Sequence, residues 1–318
     1  MRRKLILAGL ALTGIAAAGL VLAQNRTFVT IATGGTGGVY FIYGGGLASL
    51  LGKWIPGVEA TAEATAASVD NMRLLESKRA TLAFSLSDTA FDAYKGQGRF
   101  TNAVPVRALA VLYNNYTHIV ALDGSGINTV ADLRGKRVST GAAGSGTEII
   151  AGRVLEAAGL KLSDVRQERL GVAESAAALK DRKIDAFIWS GGIPTAAVVD
   201  LANTPGIKLK MVVNSDLTAK LRRQYGSFYF NLKIPKDVYK TETEVGVIGV
   251  ANILATRSDT DVNLIYRITK NMFENRADLG AIHPEAKKLN LENATSGSPV
   301  PFHIGAVRYF AEKGVKLK

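Results

Sequence analysis

The stretch TFVTIATGGTGGVYFIYGGGLASLLGK, residues 27–53, contains a strand pattern, a glycine-rich turn and a helical pattern in direct succession. Alternating and β-branched residues over Thr27–Thr33 predict a β-strand, and a helix is predicted from about Gly44 to Lys53. The turn Gly34–Gly38 would bring backbone N–H groups and the positive end of a helix dipole to one point, which favours a bound anion. This unit predicts an α/β protein with a ligand site at the turn.

Three further segments repeat the order of strand, turn and helix. Their strands are predicted at Thr81–Phe84, Lys136–Thr140 and Asp185–Trp189, and their turns at Ser85–Asp88, Gly141–Gly146 and Ser190–Ile193. We expect Ser87 or Asp88 to cap the second helix and Pro194 to occupy the first turn of the fourth. Alternating strands and helices predict largely parallel sheets, in which ligands bind beyond the carboxyl ends of the strands.

The composition limits the classes of protein to which the chain can belong. Its 318 residues are enough for about two domains. The absence of cysteine excludes disulfides, thiolate metal sites and a cysteine nucleophile. Lysine and arginine number 39 against 27 acidic residues, a net charge of +12, but no run of five basic residues occurs. The positive charge therefore does not predict a nucleic-acid partner.

The amino terminus has the pattern of an export signal. Met1–Lys4 is basic, and the apolar stretch Leu5–Ala23 ends in a small residue of the kind that precedes a signal-peptidase cut. An uncleaved membrane anchor is the alternative, because the apolar stretch is close to the ~20 residues that span a bilayer. We therefore expect residues 1–23 to export the chain, so that the remainder is periplasmic or extracytoplasmic.

Motifs of catalysis are missing from the sequence. Neither glycine cluster continues into Gly-Lys-Ser/Thr or fits Gly-x-Gly-x-x-Gly, and no serine stands in Gly-x-Ser-x-Gly. His118, His283 and His303 are far apart, and no residue pattern joins a nucleophile to a base. The sequence thus predicts a binding protein rather than an enzyme, with no catalytic residue, no metal ligand and no cofactor.

Three segments together resemble the TAXI family of TRAP-transporter solute receptors. They are IATGGTGGVYFIYGGGLASLL (31–51), DLRGKRVSTGAAGSGTE (132–148) and ALKDRKIDAFIWSGGIPTAAVVDLA (178–202). LATRSD (254–259) and the helical pattern at 261–275 are similar to the return segment of that family. The resemblance extends over nearly the whole chain after the signal.

The resemblance implies a two-lobe α/β fold of the periplasmic binding protein type II kind, with the ligand in the cleft between the lobes. It implies lobe 1 at residues 24–122, lobe 2 at 123–251 and a return to lobe 1 at 252–318. The expected function is capture of a small anionic solute, glutamate, glutamine or a related dicarboxylate, by lobe closure and its delivery to TRAP membrane permease subunits. A ligand-sensing receptor and a small-molecule enzyme on the same bilobal fold are the alternatives.

Position by position, the resemblance implies a set of ligand-binding residues in four loops and one strand. The set is Gly35, Thr36, Gly37, Gly38, Val39, Tyr40, Ser85, Ser87, Asp88, Tyr113, Ala142, Gly144, Ser145, Gly146, Thr147, Gly191, Gly192 and Ile193. Tyr113 is followed by Asn114-Asn115 where the family usually has Pro-Glu, a difference that bears on the solute rather than on the receptor assignment. Trp189 is interpreted as sheet core in preference to a ligand wall.

Overall fold

A computed structural model describes residues 26–317 of the chain. The predicted signal peptide or anchor, residues 1–23, lies outside the described residues. Between residues 26 and 317, no helix combines the length and the apolar character that a membrane crossing requires.

The described chain alternates strands and helices from end to end. The strands are β1 Thr27–Ala32, β2 Val58–Glu63, β3 Leu82–Leu86, β4 Val106–Leu122, β5 Arg137–Ser139, β6 Arg166–Glu168, β7 Ala186–Gly191, β8 Leu209–Met211, β9 Tyr229–Ile234 and β10 Val245–Arg257. The helices are α1 Val39–Trp54, α2 Ser68–Glu76, α3 Ser87–Lys95, α4 Gly146–Ala157, α5 Val172–Lys180, α6 Ala196–Asn203, α7 Thr218–Tyr225, α8 Lys236–Tyr239, α9 Val262–Glu274, α10 Arg276–Ile282 and α11 Ile304–Glu312. Short 3-10 turns are formed by Val130–Leu133, Leu162–Asp164, Ser215–Leu217 and Pro284–Lys288.

The strands form one hydrogen-bonded sheet in the order β2-β1-β3-β10-β4-β7-β5-β6, with β8 paired to β4 and β9 to β10. β1 is parallel to β2 and β3, and β5 is parallel to β6 and β7. The long strands β4 and β10 are antiparallel to all their partners. The predicted parallel arrangement is therefore found in two groups of strands, β1–β3 and β5–β7. The sheet as a whole is mixed, because the central strands β4 and β10 are antiparallel to their neighbours.

The apolar cores divide the molecule into two lobes. The first lobe contains β1–β3, α1–α3 and α9–α11, and its core includes Tyr113 of β4 and Leu254 of β10. The second lobe contains β5–β9 and α4–α8, and its core includes Tyr116 and Val250 of the same two strands. β4 and β10 thus belong to both lobes. The predicted limits at residues 122/123 and 251/252 stay a prediction.

All four predicted strand–turn–helix units are present, with three differences at the helix starts. α1 begins at Val39 rather than Gly44, because Tyr40 and Tyr43 pack against Phe84 and this packing outweighs the low helix propensity of the glycines that follow. Leu86, not Ser87 or Asp88, is the N-cap of α3, since β3 continues up to that residue. Pro194 precedes α6 instead of lying in its first turn, because Thr195 is the N-cap.

Candidate functional site

A small cavity lies between the lobes, where the turns after β1, β2, β5 and β7 meet. Its volume is about 60 Å³. It is lined by Gly34, Gly35, Gly38, Val39, Tyr40, Thr65, Ala66, Ala67, Ser68, Leu86, Tyr113, Asn115, Ala142, Ser145, Gly146, Thr147, Gly171, Val172, Trp189, Ser190 and Gly191. The cavity therefore lies beyond the carboxyl ends of parallel strands, as expected for ligand sites in such sheets.

The structure brings ten of the predicted site residues to this cavity and leaves eight outside its wall. Those at the wall are Gly35, Gly38, Val39, Tyr40, Tyr113, Ala142, Ser145, Gly146, Thr147 and Gly191. Those outside it are Thr36, Gly37, Ser85, Ser87, Asp88, Gly144, Gly192 and Ile193. A role in binding stays a prediction for each of the eighteen residues, and the geometry gives the first group direct access to a ligand.

Four helices begin at the cavity wall. α1 starts after Gly38, α2 after Ala67, α4 after Ser145 and α5 after Gly171. The first N–H groups of a helix have no acceptor within the helix, and the helix dipole adds partial positive charge at this end. Only the N-cap of α4 uses its side chain to accept one of these groups, from Glu148 N. Two helices come from each lobe, so positive potential reaches the cavity from both sides.

The cavity wall carries no charged side chain among the described residues that line it. Two buried hydroxyl groups at the wall, Tyr113 Oη and Ser190 Oγ, have no hydrogen-bond partner within the described chain. The residues are only 3% and 5% exposed. A buried hydroxyl without a partner costs free energy, so both groups are suited to bond to a ligand in the cavity.

Two tyrosines, Tyr40 and Tyr113, contribute phenol rings to the wall. The phenol of Tyr40 bonds to the side-chain amide oxygen of Asn252, which links α1 to β10. Burial raises the pKa of Tyr40 and of Tyr113. Both phenols are therefore neutral at physiological pH and present hydroxyl groups, not phenolate charges, to the site.

Asp88 has a different position from the one predicted. Its carboxylate is fully buried and accepts bonds from Arg153 Nη1 at 2.9 Å and from Tyr229 Oη at 2.7 Å. Asp92 accepts from the other guanidinium nitrogen, Arg153 Nη2, at 2.5 Å. Because α3 belongs to the first lobe and Arg153 to the second, this cluster joins the lobes beside the cavity.

Three of the other outlying residues make hydrogen bonds across the boundary between the lobes. Gly37 O accepts from Ala197 N at 3.4 Å, and Gly144 O accepts from Asp70 N at 3.1 Å. Ile193 N donates to the carboxylate of Glu285 at 2.8 Å. These bonds connect the two lobes, so the structure has the cleft closed around the cavity.

Trp189 packs against the apolar core of the second lobe, as interpreted, and also lines the cavity. Its indole Nε1 donates to Thr195 Oγ1 at 3.0 Å, and Thr195 N donates to Tyr239 Oη at 2.9 Å. Tyr239 Oη lies 3.1 Å from His118 Nε2, and His118 Nδ1 lies 2.8 Å from Tyr116 O. A carbonyl oxygen can only accept, so Nδ1 carries the hydrogen and Nε2 accepts from the phenol. This chain of bonds holds the indole in place.

The buried imidazole of His118 makes the stability of the protein depend on pH. Burial lowers the pKa of His118 from 6.5 to about 4. Below pH 6.5 the unfolded chain binds a proton that the folded chain does not bind, so we expect stability to fall as the pH decreases from 7 to 5. This one group accounts for about 1–2 kcal/mol of the decrease. Urea denaturation at the two pH values measures it.

His118→Phe provides the comparison for this pH effect. The variant has no titrating group at the position, so its stability should decrease less between pH 7 and pH 5 than that of the natural protein. The pKa values of His283 and His303 are also lowered by burial, but both residues remain in the variant and their contribution cancels. An equal decrease in the two proteins would contradict the buried, neutral state of His118.

Eleven residues of the cavity wall are absent from the predicted ligand-binding set. They are Gly34, Thr65, Ala66, Ala67, Ser68, Leu86, Asn115, Gly171, Val172, Trp189 and Ser190. The four at 65–68 follow β2, whose sequence VEATAE alternates in the manner of a strand. That alternation is a sequence signal that could have located the turn at 65–68. Gly171, which stands before an Ala-rich helical pattern, is a second signal for a turn that begins a helix.

Comparisons with known proteins agree with this architecture. A family model described as the NMT1-like family matches residues 31–314. A solved structure from Bordetella bronchiseptica RB50 has a TM-score of 0.53 and 19% identity, covering 90% of this chain and 89% of that chain. A Xanthomonas citri protein bound to chloride ion has a TM-score of 0.52 and 11% identity, with 90% and 95% covered.

A third solved structure is an ancestral arginine-binding protein bound to arginine. Its TM-score is 0.50 at 15% identity, and the match covers 84% of this chain and all of that chain. At such identities the similarity is one of fold. The predicted two-lobe α/β fold of solute-binding proteins is confirmed.

Proposed function

Since the chain belongs to the NMT1-like family, we propose that it is an extracytoplasmic receptor that captures a small anionic solute between its lobes. The convergence of four helix N-termini on one cavity between the lobes carries this proposal. An anion there is attracted by backbone N–H groups and helix dipoles from both lobes. The unpartnered hydroxyls of Tyr113 and Ser190 supply two further donors.

Binding rather than catalysis is proposed because of the chemistry of the cavity wall. Its titratable side chains are Tyr40 and Tyr113, and burial raises the pKa of both. Neither phenol can act as a base near neutral pH. A wall that offers hydrogen-bond donors but no general base is suited to bind an anion without reacting with it.

Capture and release are proposed to follow from the contacts between the lobes. A ligand that bonds to α1 and α2 of the first lobe and to α4 and α5 of the second favours the closed conformation. It can do so only to the extent that it binds the closed state more tightly than the open one. Separation of the lobes would leave each ligand atom with about half of its donors, which allows release to a membrane permease.

The permease class and the solute are the finer parts of the proposal. The resemblance to TAXI receptors favours a TRAP permease and a solute among glutamate, glutamine and related dicarboxylates. Uptake by vesicles that contain the candidate permease, with this receptor outside, distinguishes the classes. Uptake driven by an ion gradient without ATP supports a TRAP system, whereas a requirement for ATP indicates an ABC importer.

A thermal-shift screen tests the proposed anion site. We expect carboxylates to raise the melting temperature of the exported chain, whereas polyamines should not, because the cavity presents donors and no side-chain anion. A ligand at 100 times its Kd adds about 2.7 kcal/mol, which corresponds to a rise of roughly 4 °C for a chain of this size.

The screen has a clear negative outcome. If cations raise the melting temperature and a panel of two- to six-carbon carboxylates does not, the proposed function is wrong. Sodium chloride at matched ionic strength is the control, since a general salt effect would shift the melting temperature for every salt alike.

A further inference from the structure

One segment of the first lobe holds a loop of the second lobe. The segment is the 3-10 turn Pro284–Lys288 with His283 before it, and its Ala286 is part of the core of the first lobe. The loop is 192–195, between β7 and α6, and its Ile193 packs against the core of the second lobe. Each partner is thus fixed to its own lobe, so bonds between them form and break only when the lobes move relative to each other.

Two hydrogen bonds join the segment to the loop. Ile193 N donates to Glu285 Oε1 at 2.8 Å. Burial lowers the pKa of His283, so its ring is neutral at pH 7. Glu285 N donates to His283 Nδ1 at 3.0 Å, so Nδ1 accepts and Nε2 carries the hydrogen. Nε2 therefore donates to Pro194 O at 3.3 Å, and the segment satisfies one donor and one acceptor of the loop.

The carboxylate of Glu285 is placed to make a strong bond to the loop. The residue is fully buried, and Lys288 Nζ lies 2.8 Å from Oε2. Burial raises the pKa of Glu285, and the ammonium group of Lys288 opposes this shift. A hydrogen bond to a charged acceptor contributes more than one between neutral groups. When the lobes separate, water can hydrate Ile193 N and Pro194 O, so the two bonds stabilise the closed conformation alone.

The surfaces of the two lobes touch beside these bonds. A Cβ atom built on Gly192 would lie 2.7 Å from Glu285 Cγ and 2.8 Å from Tyr113 Cε2, both in the first lobe. The φ angle of Gly192 is not positive. Close approach of the lobes, and not backbone conformation, therefore requires glycine here. An added methyl group would meet the first lobe only in the closed conformation.

The same loop is connected to the cavity wall. Gly191, directly before the loop, lines the cavity, and so does Trp189. Trp189 Nε1 donates to Thr195 Oγ1 at the end of the loop, at 3.0 Å. Neither Glu285 nor His283 is among the described residues that line the cavity. The segment therefore fixes the second-lobe side of the wall through the loop, without being part of the wall.

We infer that Glu285 is a positioning residue of this receptor and that, together with His283, it forms a latch that stabilises the closed conformation and raises the affinity for every bound solute by the same factor. This inference rests on the proposed function, that is, on a solute held between the lobes. A lower ratio of closed to open protein lowers the affinity by up to the same factor. The latch belongs to the chain itself, so its effect does not depend on the chemistry of the solute.

Calorimetric titration of Glu285→Ala tests the latch with any two acids that bind the natural protein. We expect the affinity to fall by about tenfold or more, as for the loss of one hydrogen bond to a charged group, and by the same factor for both acids. A different factor for each acid would mean that Glu285 contacts the solute, and would overturn the latch. Glu285→Gln should lose less, because its amide oxygen can still accept from Ile193 N. A merely structural role would lower the number of competent sites and leave Kd unchanged.

The conformation of the ligand-free protein provides a second measurement. The chain has no cysteine, so cysteines introduced at the exposed Lys53 of α1 and Lys180 of α5 are the sole sites for spin labels. Pulsed electron paramagnetic resonance should show a larger fraction of long distances between the labels in Glu285→Ala than in the protein with Glu285. Unchanged affinity together with an unchanged distance distribution overturns the inference.

Asp185→Ala is the matched control. Asp185 accepts from Arg137 N at 2.8 Å, but both residues belong to the second lobe and lie outside the cavity wall. The variant therefore loses a bond from a backbone N–H to a carboxylate, as Glu285→Ala does, without loss of a contact between the lobes. It should keep the affinity and the label distances of the natural protein. A decrease in affinity equal to that of Glu285→Ala would contradict the latch.

Gly192→Ala tests the latch from the second lobe, and keeps the test decisive if Glu285→Ala does not fold by circular dichroism. The added methyl group overpacks the contact with Glu285 in the closed conformation. We expect the affinity to fall by about fivefold or more, or the ligand-free label distances to shift towards the open form. If neither changes, the lobes do not meet at this loop and the inference is wrong.

The failures of the two proposals are distinguishable. If no acid binds to the natural protein or to any variant, the proposed function is wrong, and the label distances of the ligand-free protein still test the latch. If acids bind and folded Glu285→Ala keeps both the affinity and the label distances, the latch is wrong and the anion receptor stands.

Discussion

Arg153→Met is expected to lower the free energy of unfolding by about 3–5 kcal/mol, the cost of leaving buried charges without their partner. The Arg153 side chain is 13% exposed and pairs with Asp88 and Asp92, whose side chains are 0% and 7% exposed. Methionine keeps the apolar stem against the ring of Tyr225, which the guanidinium covers at 4.6 Å. The decrease in the free energy of unfolding therefore measures the removal of the charge and not a loss of packing contacts. Urea denaturation at pH 7 measures it.

Lys233→Met is the matched control for the arginine variant. Lys233 pairs with Glu244 at 2.7 Å, but the two side chains are 71% and 49% exposed. Solvent screens such a pair, so its loss should cost at most about 1 kcal/mol. If the two variants lost similar amounts of stability, the cluster of Arg153, Asp88 and Asp92 would not be the internal connection between the lobes that its burial indicates.

Gly146→Val is expected to weaken binding of the best acid from the screen by about fivefold to 150-fold. A Cβ built on Gly146 would lie 2.6 Å from Ser68 Oγ and 2.7 Å from Leu86 Cδ1, both in the first lobe. Overpacking of a close-packed site costs about 1–3 kcal/mol, and each 1.4 kcal/mol changes Kd tenfold. The open conformation does not bear this cost. Calorimetric titration should therefore show the loss in affinity.

Gly45→Ala is the control for the valine variant. Gly45 lies within α1 on the exposed face, and a Cβ built there meets no atom within 4 Å. Alanine should raise the free energy of unfolding by about 0.5–1 kcal/mol, because it restricts the unfolded chain, and should leave affinity unchanged. Unchanged affinity in Gly146→Val would place the ligand somewhere other than this cavity.

The sequence was informative about the glycine loops because their signals are local. Gly34–Gly38 and Gly141–Gly146 each follow a strand pattern and precede a helical one, and both reach the cavity through Gly38 and Gly146. Gly144, by contrast, lies outside the wall, and a Cβ built on it would meet only Ala66 at 3.9 Å. Periodicity locates a turn, but it does not show which residue of the turn faces the other lobe.

The parts that sequence reasoning missed depend on contacts between distant segments. Asp88 occupies the start of α3, a position typical of a ligand contact or of a helix terminus, yet its partner Arg153 is 65 residues away. The indole of Trp189 lies at the wall because Gly38 and Gly191 leave space for it. Nothing in the local pattern of either segment indicates these pairings, since they arise only when the lobes are assembled.

The passage of β4 and β10 through both lobes has a consequence for how the molecule comes apart. The two strands pair from Val106 and Arg257 at one end to Tyr116 and Gly249 at the other. The core of the first lobe includes one half of each strand, and the core of the second lobe includes the other half. A fragment that contains only one lobe would cut through β4 and β10 and leave unpaired strand edges. Such edges are a template for aggregation. Heating should accordingly melt the intact chain in a single cooperative transition, with one calorimetric peak and not two.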